Sequence, residues 1–291
     1  MDKDFEREVV KQIRRLQEEP YSELSTAVTN KRRDWLQRRT HRIESPTTAR
    51  NAYELFLLEY LGLTKESVPV VSETDDEIVW DSTNRCPTLE ACQQLNLDTR
   101  RVCRQIYEKS TQAFLSALDP QLRFWRSYER IRPYTPSCRE AIFKMDFEAM
   151  MRLAIDEAEV ARSRVNLASG AVLVHCKEVI STGQDTVSLH HEPSAHAAMH
   201  AIRKATEVLG NADLCGGILF VTTEPCPTCV IRAVEANLTT IVFGVSAEDM
   251  PSLGETPDHV NCETFAKEAP NRIEIIGGIL REECQALLET R

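Results

Sequence analysis

The sequence has no apolar run that approaches the length of a membrane-spanning helix, so we expect no transmembrane segment. Its opening residues, Met1 to Glu8, carry too many charges for a signal peptide. We therefore expect a cytoplasmic protein. In that setting the 10 cysteines among 291 residues are free thiols or metal ligands rather than a disulfide framework.

An excess of positive charge is also missing. The net charge is -10, and residues 145 to 291 account for it with 11 Lys and Arg against 22 Asp and Glu. Residues 1 to 144 are nearly balanced, with 24 against 23. Because phosphate contacts dominate polynucleotide binding, the acidic C-terminal half favours a small-molecule substrate.

The length predicts two domains. Residues 1 to 144 are predicted to form a mostly α-helical domain of unknown role, since Phe5, Val9, Ile13 and Leu16 recur at helical spacing. The acidic stretch within residues 63 to 79 indicates a loop or solvated edge.

Residues 145 to 291 alternate between helical and strand patterns. A helix predicted from Asp146 to about Arg162 precedes two strands around a tight turn at Cys176 and Lys177. A further helix, a buried strand, a second helix and another strand follow. This order predicts a three-layer α/β/α sandwich with parallel strand pairs and a metal at the strand ends.

One histidine and two cysteines in this half have the spacing of a zinc site. His196 is followed about thirty residues later by Pro225-Cys226-Pro227-Thr228-Cys229. One imidazole and two thiolates hold zinc tetrahedrally and leave one position for water, whose pKa falls to about 7. We expect both cysteines in the first turn of one helix, and His196 at the start of another that Ser194 caps.

Two other interpretations of these residues are weaker. A redox Cys-x-x-Cys needs no upstream histidine and usually follows the first strand of its domain. His196 and His200 are four residues apart, as in a zincin, but Ala197 stands where that motif needs glutamate. His200 is accordingly expected to be a neighbour rather than a ligand.

The carboxylate of the deaminase signature His-x-Glu is absent. Ala198 stands where a glutamate would carry protons from the metal-bound water to the substrate. We expect the metal site to survive and catalysis to lose at least the roughly 10²- to 10⁴-fold that general acid-base catalysis supplies. A natural pseudo-enzyme and an inactivating substitution both explain Ala198, and the otherwise complete site favours the second.

Residues 146 to 245 resemble the cytidine deaminase-like superfamily, in its branch of guanine, nucleoside and tRNA adenosine deaminases. The matching segments are Gly170 to Val174, Glu192 to Ala197, Ala201 to Ala205 and Thr223 to Cys229. The resemblance implies zinc bound by His196, Cys226 and Cys229, and a homodimer. It also implies that the Ala197 backbone faces the substrate and that Glu224 supports the turn before the cysteines.

Departures from the family pattern concern the substrate. Asp185 stands where these proteins usually carry asparagine, and an ionised carboxylate only accepts hydrogen bonds. Ala168 and Ser169 replace a Pro-Phe pair before the first strand. We therefore expect Asp185, Ala197 and Glu224 at the substrate side of the site, with a guanine-like purine favoured among amino-heterocyclic bases and nucleosides.

The N-terminal half contains basic residues among aromatic ones. They are Lys31, Arg32, Arg33, Arg38, Arg39 and Arg42 around Trp35, and Arg123, Arg126, Arg130 and Arg132 near Phe124, Trp125 and Tyr128. Such a pattern can bind nucleic acid, but it is more often a solvated helix face. The alternative to an enzyme is thus a catalytically dead scaffold subunit of an RNA-editing complex.

Four cysteines of this half could in principle form a second metal site. Cys86, Cys92, Cys103 and Cys138 have spacings that match no compact ligand pattern, so we expect buried free thiols.

Overall fold

The protein is described by a computed structural model that covers residues 3–39, 47–250, 262, 264, 265 and 273–289. The chain divides into two compact units, Met1–Met145 and Asp146–Arg291. Within the described residues, no helix is both long enough and apolar enough to cross a membrane.

The N-terminal unit is built from helices and one sheet. Its helices are α1 Lys3–Glu18, α2 Tyr21–Gln37, α3 Ala49–Tyr53, α4 Pro87–Gln94, α5 Thr99–Val102 and α6 Lys109–Ser116. Two π-helical segments are continuous with them: π1 Glu54–Tyr60 extends α3, and π2 Cys103–Glu108 joins α5 to α6.

The four strands of this unit form an antiparallel sheet, although the sequence predicts a mostly helical domain here. They are β1 Val70–Glu73, β2 Glu77–Ser82, β3 Leu122–Arg126 and β4 Cys138–Lys144, in the order β1-β2-β4-β3. The segment predicted as a loop or solvated edge contains β1, a fully exposed edge strand, and the start of β2. The acidic residues of this segment resemble a loop in the sequence. They can remain at the surface of a sheet because β1 is exposed and only alternate residues of β2 are buried.

Aromatic side chains fill the core between this sheet and its helices. Trp80 packs edge-on against Tyr53, with ring centroids 5.4 Å apart. Both hydrogen-bonding groups find buried partners, since Tyr53 donates to the Val68 carbonyl and Trp80 Nε1 donates to Glu140. This pairing makes the burial of two amphipathic rings favourable.

The C-terminal unit contains a five-stranded mixed sheet. Its strands are β5 Gly170–His175, β6 Glu178–Gln184, β7 Ile218–Thr223, β8 Thr240–Val245 and β9 Glu274–Ile276. The order is β6-β5-β7-β8-β9, with β7, β8 and β9 parallel and β5 antiparallel to both neighbours. Cys176 and Lys177 both have positive φ, as the turn between β5 and β6 requires.

Helices cover both faces of this sheet. They are α7 Phe147–Ser163, α8 Val187–His190, α9 Ala197–Leu209, α10 Pro227–Glu235 and α11 Arg281–Glu289. Phe220 meets Phe147 of α7, whereas its strand neighbours Leu219 and Val221 pack with Ala198 of α9. Since adjacent strand residues point to opposite faces, α7 and α9 lie on opposite sides. The structure therefore confirms the predicted three-layer sandwich.

Candidate metal centre

Three potential metal ligands meet at the starts of two helices. The Nδ1 atom of His196 lies 3.4 Å from Cys226 Sγ and 3.5 Å from Cys229 Sγ. The two sulfur atoms are 3.6 Å apart. In the part of the chain that the structure describes, this is the one group of three or more His, Cys, Asp or Glu side chains close enough to share an ion.

These separations fit a tetrahedral zinc ion. Zn–S bonds of about 2.3 Å and Zn–N bonds of about 2.0–2.1 Å place tetrahedral ligands roughly 3.6 Å apart for N and S, and roughly 3.8 Å apart for two sulfurs. The observed distances are within about 0.2 Å of those values. The side chains are thus arranged to accept zinc with little movement, and no fourth His, Cys, Asp or Glu side chain among the described residues joins the group.

Backbone geometry explains how the ligands converge. His196 and Cys226 are the N-cap residues of α9 and α10, and Cys229 lies in the first turn of α10 behind Pro227. Helix N-termini stabilise nearby negative charge and therefore thiolates. The predicted Ser194 cap is wrong, because its hydroxyl donates to Glu192 and the helix begins after His196.

The three groups perturb one another's protonation. The hydrogen bond with Cys229 lowers the pKa of the Cys226 thiol to about 4, and the bond with His196 acts in the same direction against the effect of burial. The Cys226 interaction and burial raise the pKa of Cys229. Cys226 in turn raises the pKa of His196. The three side chains are therefore electrostatically coupled to one another.

Ala198 occupies the second position of α9 and is 2% exposed. Its methyl group belongs to the apolar cluster that also contains Cys229 and Val221. A methyl group cannot accept or donate a proton. The conspicuous feature of the site is therefore a complete set of metal ligands beside a position that cannot perform acid-base chemistry.

Among the predicted substrate residues, Asp185 carries a charge that acts on His196 and Cys229. It follows β6 and is 3% exposed, and its Oδ1 accepts a hydrogen bond from the Val187 amide. Burial raises the pKa of this carboxyl, while the amide and the positive charge on His196 oppose that shift. Asp185 is therefore a buried carboxyl with one oxygen held by the backbone of the segment after β6.

Ala197 lies at the start of α9, whereas Glu224 directly follows β7. Ala197 is buried at the first position of α9, and its carbonyl lies where a side chain on Gly183 would otherwise be. The Glu224 carboxylate accepts hydrogen bonds from the amides of Ala247 and Cys262. Both of its oxygens thus hold the chain that follows β8, which suits a supporting role better than substrate contact.

Two contacts around the site carry no signal in the sequence. His200 Nε2 lies 2.9 Å from Thr186 Oγ1, which ties α9 to the residue after Asp185. Gly183 lets β6 approach α9 so closely that a Cβ atom there would lie 2.1 Å from the Ala197 carbonyl oxygen. Only the folded chain brings these residues together, so spacing alone could not identify them.

The basic residues of the N-terminal half divide between surface and core. Arg33 and Arg38 are exposed, but Arg32 and Arg123 are buried. Arg42 lies outside the described residues. These basic residues therefore do not form a uniformly solvated face.

The four N-terminal cysteines carry free thiols, of which Cys92 is buried. Burial raises the pKa of Cys92 to about 11 and that of Cys103 to about 12, so both remain protonated near neutral pH.

Comparison with known proteins places the matched region in the C-terminal half. Residues 144–245 match the family described as the cytidine and deoxycytidylate deaminase zinc-binding region. The tRNA-specific adenosine deaminase of Bacillus subtilis is 33% identical over 141 residues, which cover 48% of this chain and 85% of that protein. The guanine deaminase of the same species is 32% identical over 111 residues, covering 38% and 71%.

Solved structures of such proteins also match. One, from work on A-to-I editing by tRNA:A34 deaminases at the wobble position of transfer RNA, is 26% identical and has a TM-score of 0.42. The match covers 48% of this chain and 99% of that one.

Proposed function

Because this chain belongs to the cytidine deaminase-like superfamily, we propose that its C-terminal unit binds zinc and an amine-bearing heterocyclic base or nucleoside. The ligands are His196, Cys226 and Cys229. The observation that carries the proposal is their mutual distance of 3.4–3.6 Å, which suits a tetrahedral ion. Zinc in such a set supplies a Lewis acid and lowers the pKa of bound water to about 7.

The protein's own residues would bind and orient the base. Asp185 offers a buried carboxyl whose charge acts on His196, and Ala197 presents backbone at the start of α9. Glu224 keeps the segment after β8 in place through the Ala247 and Cys262 amides. A guanine-like purine is our favoured substrate, and similarity to a guanine deaminase supports that choice.

Proton transfer is the step this chain lacks. Hydrolytic deamination moves a proton to the ring and another to the leaving amine, and a glutamate normally carries both. With Ala198 in that place, we propose that the protein is inactive or impaired by roughly 10²- to 10⁴-fold or more. Self-association into a homodimer is part of the same proposal.

A second candidate function follows from the same alanine. The chain would then be a catalytically silent subunit of an RNA-editing complex, with zinc serving structure. Similarity to the tRNA-specific adenosine deaminases, together with the buried Ala198, favours this candidate.

The test is ammonia release by the zinc-loaded Ala198→Glu protein across free bases, nucleosides, pterins and a tRNA pool. We expect one heterocycle to be turned over by the glutamate variant and not by the alanine form. Ala198→Gln is the matched control, since glutamine has the same length as glutamate but cannot take up or release a proton near neutral pH.

Two other outcomes would change this proposal. Equal turnover by the unaltered protein would show that Ala198 does not limit catalysis. Silence of a folded, zinc-loaded Ala198→Glu protein would favour the scaffold subunit. Since the position is buried, purine binding to the unaltered chain, measured by calorimetry, tests the substrate class without the substitution.

A further inference from the structure

A buried arginine in the N-terminal unit has no carboxylate partner among the described residues. Arg32 of α2 is 5% exposed. Its Nη1 donates to the hydroxyls of Ser110 and Thr111 at 2.7 and 2.8 Å, and more weakly to the Tyr107 carbonyl. Its guanidinium also lies 5.0 Å from the ring centroid of Phe56. A buried cation normally requires an anionic partner, because desolvation costs several kcal/mol.

A second arginine with an unused donor lies near enough for its charge to act on Arg32. The Nε atom of Arg32 and the Nη1 atom of Arg126 are both buried, and neither has a partner among the described residues. Arg126 pairs with Glu140 through its other nitrogens. Glu140 is already engaged by Trp80 and Ser82. Such buried donors are rare in folded proteins and commonly indicate a bound water or ion.

Both π-helical segments of the described chain border Arg32. The ring centroids of Phe56 and Tyr60 in π1 lie 5.0 and 6.0 Å from its guanidinium, and the Tyr60 side chain also forms a hydrogen bond with Arg32. Tyr107 of π2 directs its carbonyl towards it. The wide π turn is uncommon and occurs frequently at functional sites. Two such turns facing one buried arginine are a second indication, independent of the unpaired donors.

The charges in this region do not balance. Arg32, Arg104 and Arg126 contribute three guanidinium groups, while Glu108 and Glu140 are the buried carboxyls that interact with Arg104 and Arg126. Burial raises the pKa of Glu108, whose carboxylate is hydrogen-bonded by Tyr128. Burial lowers the pKa of Arg32 to about 10, so it is still charged at neutral pH. The region is therefore a cationic enclosure.

We propose that Arg32 and Arg126 bind a small oxyanion, either inorganic phosphate or a phosphate monoester, between the two π-helical segments. Guanidinium groups match the geometry of phosphate oxygens and form charge-assisted hydrogen bonds with them. The low exposure of Arg32 favours a small anion over a polynucleotide backbone. This site lies in the N-terminal unit and is independent of zinc and of deamination.

The test uses the full-length, zinc-loaded chain. Titration with inorganic phosphate at constant ionic strength should raise the unfolding midpoint progressively, as expected for a ligand that binds only the folded state. Calorimetry should give saturable binding of phosphate, with chloride as the reference ion. Adenosine monophosphate tests the monoester, and a short single-stranded RNA tests the polynucleotide backbone.

Arg32→Lys keeps the positive charge but loses the Nε donor and the planar fork. We expect it to weaken phosphate binding by about ten- to a hundredfold, which corresponds to a lost charge-assisted hydrogen bond. Arg33→Lys, at the exposed neighbouring position, is the matched control and should bind as the unaltered protein does. Arg126→Lys is a second variant in case Arg32→Lys does not fold.

Two results would overturn the proposal. One is a phosphate response that is absent, or equal in the unaltered, Arg32→Lys and Arg126→Lys proteins, since phosphate also stabilises proteins non-specifically. The other is displacement of phosphate by RNA with no binding of the monoester, which would assign the arginines to a polynucleotide.

Discussion

At the scale of single residues, the C-terminal site combines a complete ligand set with an inert neighbour. Cys226 is the N-cap of α10, Cys229 lies in the first turn of the same helix, and His196 is the N-cap of α9. Ala198, two residues after His196, lies in the first turn of α9 and packs in the apolar cluster. The proposed metal binding and the proposed loss of proton transfer therefore rest on different residues.

Replacing one ligand should remove the metal and leave the fold recognisable. We expect Cys226→Ser to lower zinc affinity by more than the roughly 10- to 100-fold that the loss of an outer hydrogen-bond partner costs. Zinc content after dialysis, measured by plasma mass spectrometry, checks this expectation. Cys176→Ser changes an exposed cysteine outside the ligand set and should retain full zinc. Equal zinc in both variants would contradict the assignment of Cys226.

At the scale of elements, the site depends on how closely β6 approaches α9. A Cβ atom on Gly183 would lie 2.1 Å from the carbonyl oxygen of Ala197 and 2.7 Å from the amide of Ala201. Both are backbone atoms, which cannot move aside without shifting the helix. Because His196 caps that helix, the strand–helix contact also sets the position of a metal ligand.

We expect Gly183→Ala to destabilise the protein by about 1–3 kcal/mol through overpacking and to weaken zinc binding. Gly210→Ala is the control, since that glycine ends the same helix with φ of 60° and has open space around its Cα. It should cost about 1–2 kcal/mol through backbone strain and leave zinc affinity unchanged. Denaturant unfolding and a zinc titration separate the two effects. Weakened zinc binding in both variants would indicate general destabilisation.

At the scale of the whole molecule, the chain combines two units with different chemistry. The C-terminal unit carries the net negative charge and the candidate metal centre, whereas the N-terminal unit is almost neutral and encloses Arg32. Each has its own sheet and its own aromatic or aliphatic core.

Removal of zinc should therefore affect one unit selectively. We expect chelation to accelerate amide exchange at the N-termini of α9 and α10, where the ligands are attached, and to leave β2 and β4 unchanged. Hydrogen-exchange mass spectrometry with and without chelator measures this difference. A uniform increase across both sheets would show that the metal stabilises the chain as a whole, and no change would argue against zinc binding.

The sequence by itself determined the ligand set and the sandwich around it. His196, Cys226 and Cys229 are recognisable from residue type and spacing, because only certain side chains hold zinc and because helix starts place them predictably. The order of strands and helices in residues 146 to 245 can also be predicted from local sequence, because hydrophobic periodicity and turn residues indicate each element. The absence of a proton carrier at Ala198 needed no structure either.

Tertiary structure alone decided the contacts between residues far apart in the chain. In the N-terminal unit, β1 is exposed along its whole length and lies in an acidic stretch, so it resembles a loop in the sequence. Three contacts depend on distances that no spacing rule predicts. They are the Thr186–His200 hydrogen bond, the close approach of Gly183 to α9, and the hydrogen bond of Glu224 with the Ala247 amide. Arg32 shows this most clearly. Its sequence neighbours suggest a solvated basic face, yet packing against residues 56 and 107–111 buries it.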